Sequence, residues 1–246
     1  METQKDYKLI PTFGNSFGTG WQVMTDNFLR LFLVVLVLAI TAAPFHLFDF
    51  KFDIDDLHFL SSDMKHDIGN LVEIGTLGAF AAFFGFIALL YAFLVAPVFS
   101  YGGDMIFVQA VRQIKPDFEI LVRGFWENYL YIILANLLVV ALIVLGFFAL
   151  IVPGIIIACR LVFTSYIVMD KKLDPIEAVE LSWKLTRGHG WRIFLMGIVS
   201  FFILIFGLMM LIVGIFPAII WISSSFASLY QSVLLEKEKP EEVAAE

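Results

Sequence analysis

The sequence predicts an all-α, polytopic membrane protein whose six transmembrane helices form three helical hairpins, with cytoplasmic interfacial helices between them. Three observations predict this class: an apolar composition, long uncharged runs and an uneven distribution of cations. Of the 246 residues, 60% are hydrophobic and 16% are charged, whereas a soluble domain has about 45–50% apolar and about 25% charged residues. The mean hydropathy is +0.89. A helix crosses a bilayer with about 20 apolar residues, and four uncharged runs approach or exceed that length: 31–48, 74–103, 128–159 and 193–235.

The first two crossings are predicted over residues 28–48 and 76–100, with an acidic external loop over 49–73 between them. The loop contains these acidic residues: Asp49, Asp53, Asp55, Asp56, Asp63, Asp67 and Glu73. Their spacing does not match the calcium-binding loop pattern, which requires alternating acids, a glycine and a distal glutamate. The sequence therefore predicts a solvated loop, and it predicts neither a metal nor a cofactor.

Two of the uncharged runs are too long to be single transmembrane helices. As one helix, residues 128–159 would extend about 48 Å and residues 193–235 about 63 Å, whereas the bilayer core is about 30 Å thick. Pro153 with Gly154 predicts a turn in the first run, and Gly214 with Pro217 predicts a turn in the second. Four crossings follow: 128–150, 154–170, 193–213 and 216–235.

The distribution of lysine and arginine predicts the orientation, because these residues resist translocation. With both termini in the cytoplasm, the outer segments contain only Lys51 and Lys65. The inner segments contain thirteen of the 16 cations: Lys5, Lys8, Arg30, Arg112, Lys115, Arg123, Lys171, Lys172, Lys184, Arg187, Arg192, Lys237 and Lys239. We therefore expect a multi-pass protein of the plasma (inner) membrane, with one transmembrane domain over 1–235 and a disordered cytoplasmic tail over 236–246.

An internal repeat introduces the three hairpins. A glycine and a tryptophan precede the first, third and fifth crossings, in "GTGWQVM", "LVRGFWE" and "TRGHGWR". Tryptophan is enriched where a membrane meets water. Four tryptophans are therefore predicted to be interfacial anchors: Trp21, Trp126, Trp183 and Trp191.

The segment before the fifth crossing carries the signals of a helix over 175–187. Asp174 and Glu177 fit a capping box, Pro175 fits the first helical position, and Gly188 marks the end. Apolar residues recur at helical spacing beside basic ones, so this helix is predicted to lie in the plane of the membrane surface. A cytoplasmic linker is the alternative.

Arg160 lies deep inside the fourth predicted crossing. Counted along a straight helix from Asp170, it is about 15 Å from the cytoplasmic end, where an arginine costs about 2.5–3.5 kcal/mol on insertion scales. A polar layer would lower this cost, and four polar side chains are predicted at a similar depth: Asn136, Ser200, Ser225 and Tyr91. Because a guanidinium matches phosphate geometry, the sequence predicts an anion or lipid headgroup contact at Arg160.

Two structural roles for Arg160 remain open beside the headgroup contact. The guanidinium can clamp neighbouring helices by donating to their carbonyl groups. Alternatively, it can snorkel towards the cytoplasmic face and pair there with Asp170 or Asp104. A single arginine does not distinguish these roles.

No catalytic motif is found in the sequence. It has no H-E-x-x-H zinc motif, no Walker loop and no C-x-x-C pair. The segment "GNSFG" matches a nucleophile elbow only in its letters, because that motif follows a β-strand and precedes a helix. Cys159 is the only cysteine, which excludes an intrachain disulfide. The chain is therefore expected not to be an enzyme.

A family resemblance is carried by residues 146–194. An Ile-Val-Pro-Gly break is followed by an arginine, an acid at the helix end and an "EA…S…G" segment: Ile151 to Gly154, Arg160, Asp170, Glu177, Ala178, Ser182 and Gly188. The pattern resembles a bacterial family of six-helix integral membrane proteins of unknown function, related to the membrane domain of glycerophosphoryl diester phosphodiesterases. The resemblance covers the second half of the chain. It implies a fold and a localisation, and it supplies no catalytic residues.

These observations together predict a non-enzymatic membrane accessory protein, or lipid-contacting module. Its partners would be membrane lipids and an unidentified membrane protein, and not nucleic acid. The alternative is a small-solute or lipid transporter that uses a midplane polar layer around Arg160.

Overall fold

The computed structural model describes residues 7, 9–42, 78–210 and 212–244. In this part of the chain all regular structure is helical, which confirms the predicted all-α class. The helices, in chain order, are α1 (Phe13–Asp26), α2 (Phe28–Ala42), α3 (Gly78–Leu94), α4 (Ala96–Val111), α5 (Ile120–Arg123), α6 (Tyr129–Ala149), α7 (Ile151–Leu161), α8 (Thr164–Lys171), α9 (Pro175–Thr186), α10 (Gly190–Met209) and α11 (Ile212–Ala244).

Several helices are long and apolar enough to cross a membrane. Among the described residues there are five such segments: Phe83–Val111, Tyr129–Ala149, Ile151–Lys171, Gly190–Met209 and Gly214–Lys237. The pair α1 and α2 passes the same test with a bend of 95° between its helices, which gives up to six. The last four segments match the predicted crossings closely, because apolar length alone defines them.

The first two predicted crossings differ more from the structure. The crossing over 28–48 extends beyond the end of α2, and the loop over 49–73 lies wholly outside the described residues. The helical segment of the second crossing, predicted to end at residue 100, continues to Val111. Asp104 does not end this segment, because it accepts a hydrogen bond from Ser165 of α8.

Leu150, and not Pro153, interrupts the chain between the third and fourth predicted crossings. Its backbone is extended, with φ −172° and ψ 156°. Pro153 lies in the first turn of α7, where a missing amide costs no helical hydrogen bond. Gly154 is instead a packing position, since a Cβ there would be 2.7 Å from the Phe147 ring. The predicted break between the two crossings is therefore present, but it lies at Leu150, one residue before the Ile-Val-Pro-Gly segment.

The last helix, α11, is the centre of the core. It packs against α1, α2, α4, α9 and α10. Tyr230 is fully buried, and its ring stacks on Tyr166 at 5.2 Å between centroids. The helix continues to Ala244, into the segment for which the sequence predicts a disordered tail. Lys237 Nζ there donates to the Lys184 carbonyl at 3.1 Å, which ties the end of the helix to α9.

The interfacial helices predicted before the hairpins differ in length. α9 agrees with the helix predicted over 175–187, with Asp174 at the N-cap and Pro175 following it. Gly188 has a φ of +91°, a conformation that suits glycine just after a helix. The Asp174 side chain makes no capping hydrogen bond, so the predicted capping box is not formed. The corresponding segment before the third crossing contains only the single turn α5.

Candidate functional site

Arg160 lies near the end of α7, where α9 folds back against it. α9 starts shortly after α8 ends and packs against α6, α7 and α8. Two hydroxyl groups of α9 donate to the Arg160 carbonyl, Ser182 Oγ at 2.8 Å and Thr186 Oγ1 at 3.3 Å. These bonds satisfy an acceptor near the break between α7 and α8, so they fix the position of Arg160.

The Arg160 guanidinium faces an aromatic ring and keeps part of its donor capacity unused. Its Cζ atom lies 5.7 Å from the centroid of the Trp183 ring, within the range of a cation–π contact. Its Nη1 atom is buried and has no hydrogen-bond partner among the described residues. A buried polar group normally has a partner. Because Nη1 is buried, the groups that can reach a ligand are the other guanidinium nitrogens, on the side where Arg160 lines a cleft.

A cleft of about 460 Å³ opens beside this guanidinium. Apart from Arg160, its walls are mostly apolar and come from α7 and α10: Val152, Ile155, Ile156, Cys159, Gly190, Trp191 and Phe194. Small-molecule sites typically combine such apolar walls with a few polar groups that fix the orientation of the ligand. The arrangement fits an amphipathic anion, with its charge at the guanidinium and its apolar part along the wall.

The contacts of Arg160 differ from the predicted polar layer. Tyr91 donates to the Thr41 carbonyl at 2.6 Å, and Ser225 donates to the Trp221 carbonyl at 2.7 Å. Ser200 is buried in α10, and Asn136 is partly exposed on α6. The hydrogen bonds found in the described part of the chain join Arg160 to α9, and not to any of these four side chains. The segment Ile151–Lys171 is one span with a short turn at Val162 and Phe163, so the predicted depth of Arg160 stays a prediction, and the feature that was not predicted is that α9 folds back beside this span.

The four predicted tryptophan anchors are all exposed in part. Trp126 and Trp191 are the most open, at 78% and 71% exposure, which suits a position at a membrane surface. Trp21 packs edge-on against Trp221 at 5.0 Å. Trp183 is the least exposed of the four, because Arg160 lies against its ring.

A second polar cluster, which the sequence did not predict, joins α4, α8 and α11. Arg112 makes a bidentate ion pair with Asp170, with both N–O distances at 2.6 Å. Its Nε donates to the Gln231 side chain at 2.7 Å, and the Tyr230 hydroxyl donates to Asp170 at 2.9 Å. This pairing occupies Asp170, which was one of the two acids expected to reach Arg160 by snorkelling.

Sequence patterns offer little signal for this cluster. Arg112, Asp170 and Gln231 are far apart in the chain, and each stands at the end of an apolar segment, where charged and polar residues are common. Of these three residues, only Asp170 is singled out by the sequence, as the acid at the end of a predicted helix. The pairing depends on the three-dimensional arrangement of the helices.

No family model, no curated protein and no solved structure matches this chain. The resemblance to the six-helix membrane protein family therefore stays a prediction.

Proposed function

We propose that this chain is a non-enzymatic, multi-pass plasma-membrane protein that holds the charged head of an anionic lipid at Arg160. The lipid's head would lie against the guanidinium, and its chain along the apolar walls from α7 and α10. In this role the protein is a lipid-contacting accessory module, with both termini in the cytoplasm.

The observation that carries the proposal is the position of the Arg160 guanidinium, which lines the apolar cleft and has no ion-pair partner in the described part of the chain. Leaving a buried polar group unsatisfied costs about 1–3 kcal/mol, and more when the group is charged. A lipid phosphate would supply acceptors to the guanidinium nitrogens on the cleft side, where Nη2 lies 3.9 Å from a Cβ placed on Gly190. Water would satisfy these donors too, but it would not balance the charge of the guanidinium.

The first prediction concerns the lipid that copurifies with the protein. A hydrogen bond to a charged group contributes about 1.5–3 kcal/mol, so Arg160→Gln should lower anionic-lipid occupancy roughly ten- to hundredfold. Arg160→Lys should retain part of it, because it keeps the charge and loses the planar fork. Native mass spectrometry of the protein in a mild detergent measures the occupancy.

Arg187→Gln is the matched control, since it removes the same charge from an exposed arginine at the end of α9. It should leave the copurified lipid nearly unchanged. Equal occupancy in the wild type and Arg160→Gln would contradict the proposal. Loss of lipid in Arg187→Gln to the same extent would indicate a general charge effect and would also contradict it.

A small-solute or lipid transporter is the second candidate. It is favoured by buried hydroxyl groups that have no partner among the described residues: Thr164, Ser200, Ser224 and Ser228. Polar groups inside a membrane protein are typical of substrate pathways. Flux through reconstituted liposomes, lost in a folded Arg160→Leu variant, would favour this candidate over a static lipid contact.

A further inference from the structure

The first turn of α10 presents three backbone amides without a helical partner. In any α-helix the first amides lack an acceptor four residues earlier. Here the amides concerned belong to Gly190, Trp191 and Arg192, and the first bond from this turn runs from Ile193 N to the His189 carbonyl, at 3.0 Å. His189, at the N-cap, makes no side-chain capping bond.

Arg160 lies directly against this helix start. A Cβ atom placed on Gly190 would be 3.8 Å from Arg160 Cζ and 3.9 Å from Nη2. The start of a helix carries a partial positive charge of about +0.5, and α10 has no acidic residue in its first turn. A cation therefore faces the positive end of a 20-residue helix.

Two charged groups at this turn have partners of their own. Arg192 donates to the Pro11 carbonyl. Glu236 lies 3.1 Å from His189 Nε2, on the N-cap residue. Among the residues that the structure describes, no acidic side chain bonds to both the Arg160 guanidinium and the start of α10. No counter-ion among these residues therefore offsets the repulsion between the two groups.

Resting on the proposed function, we infer that a phosphate group is held jointly by the Arg160 guanidinium and the free amides at the start of α10. Backbone amides at a helix start and a guanidinium fork are both recurrent phosphate ligands. A phosphate has enough oxygens to accept from both at once. The Trp183 ring covers one face of the guanidinium and leaves its N–H edge for the anion.

The phosphate can come from a lipid headgroup or from free phosphate in solution, and the cleft favours the lipid. The wall beside the anion position consists of apolar side chains: Val152, Ile155, Ile156 and Phe194. Free phosphate makes no contact with this apolar wall. A phospholipid would cover the wall with its acyl chain and bring its phosphate to Arg160.

The test removes one of these backbone N–H groups and keeps helix α10 intact. Proline is tolerated in the first turn of a helix, but it has no N–H to donate. The matched pair is Trp191→Pro and Trp191→Ala, because both variants lose the indole and only the first loses the amide. Affinity for short-chain phosphatidylglycerol, for inorganic phosphate and for short-chain diacylglycerol is measured by calorimetry on the delipidated full chain in detergent.

We expect Trp191→Pro to bind phosphatidylglycerol about tenfold more weakly than Trp191→Ala, which is the effect of one charge-assisted hydrogen bond. Diacylglycerol should not bind at the same site. Equal affinities in the two variants would overturn the amide contact. If Arg160→Gln still weakens binding in that case, the proposed function stands, and if it does not, both fail.

Inorganic phosphate that binds as tightly as phosphatidylglycerol would support the shared anion site, but it would contradict the lipid role of the proposed function. Circular dichroism shows whether Trp191→Pro is folded. If it is not, Gly190→Val replaces it, because the added side chain fills the space beside the Arg160 guanidinium. Unchanged phosphatidylglycerol affinity in a folded Gly190→Val variant would overturn the inference.

Discussion

Single glycines determine how closely the helices of this protein approach each other. Gly20 of α1 is buried against α11, and a Cβ at this position would be 2.8 Å from the Cα of Ser225. Backbone atoms cannot move aside as the end of a flexible side chain can. Gly18, two residues earlier, is exposed, and a Cβ placed on it would meet no neighbouring group within 4 Å. The two glycines therefore form a matched pair in one helix.

We expect Gly20→Ala to destabilise the protein by about 1–3 kcal/mol, the usual cost of overpacking. Gly18→Ala should be neutral or stabilising by up to about 1 kcal/mol, since alanine is the better helix former. Thermal unfolding in detergent, followed by circular dichroism, measures both. A Gly20→Ala variant as stable as Gly18→Ala would show that α1 does not pack against α11 in this way.

At the scale of elements, the ion pair of Arg112 and Asp170 fastens α4 to α8, and Gln231 and Tyr230 extend it to α11. The side chains are only 23% and 10% exposed. Burial of a charge is costly unless it is paired. Removing one residue of the ion pair therefore lowers the free energy of unfolding more than removing both.

Asp170→Asn should lower the free energy of unfolding by about 3 kcal/mol or somewhat less, since Arg112 keeps some contact with solvent. Adding Arg112→Gln to it should restore part of the loss. Asp117→Asn is the control, because its contact with Arg123 is exposed and 3.5 Å long, and it should change stability by less than about 1 kcal/mol. Chemical denaturation of the single and double variants tests this, and strictly additive losses would contradict it.

At the scale of the whole molecule, the bias of lysine and arginine predicts that both termini face the cytoplasm. In a Cys159→Ser background, Ser62→Cys should react with a membrane-impermeant maleimide in intact cells. Ala245→Cys should react only after the membrane is permeabilised. The reverse pattern would contradict the predicted orientation, whatever the number of crossings.

The structural features that the sequence predicts best are those that depend on local composition. The last four apolar segments and α9 lie close to their predicted bounds, because apolar length and the signals at Asp174 and Gly188 are local. The break at Leu150 was placed a few residues too late, at Pro153 and Gly154, because proline was taken to break the helix although it fits the first turn of one. The neighbours of Arg160 and the partner of Arg112 were missed for a different reason. They depend on how α9 folds back and how α4, α8 and α11 meet, and no spacing in the chain encodes these contacts.

Cys159, the only cysteine of the chain, lines the cleft next to Arg160 and is partly exposed. The protein thus carries a single thiol in the cleft beside Arg160. A spin label or fluorophore attached there would sense this region of the wild-type chain without any engineered residue.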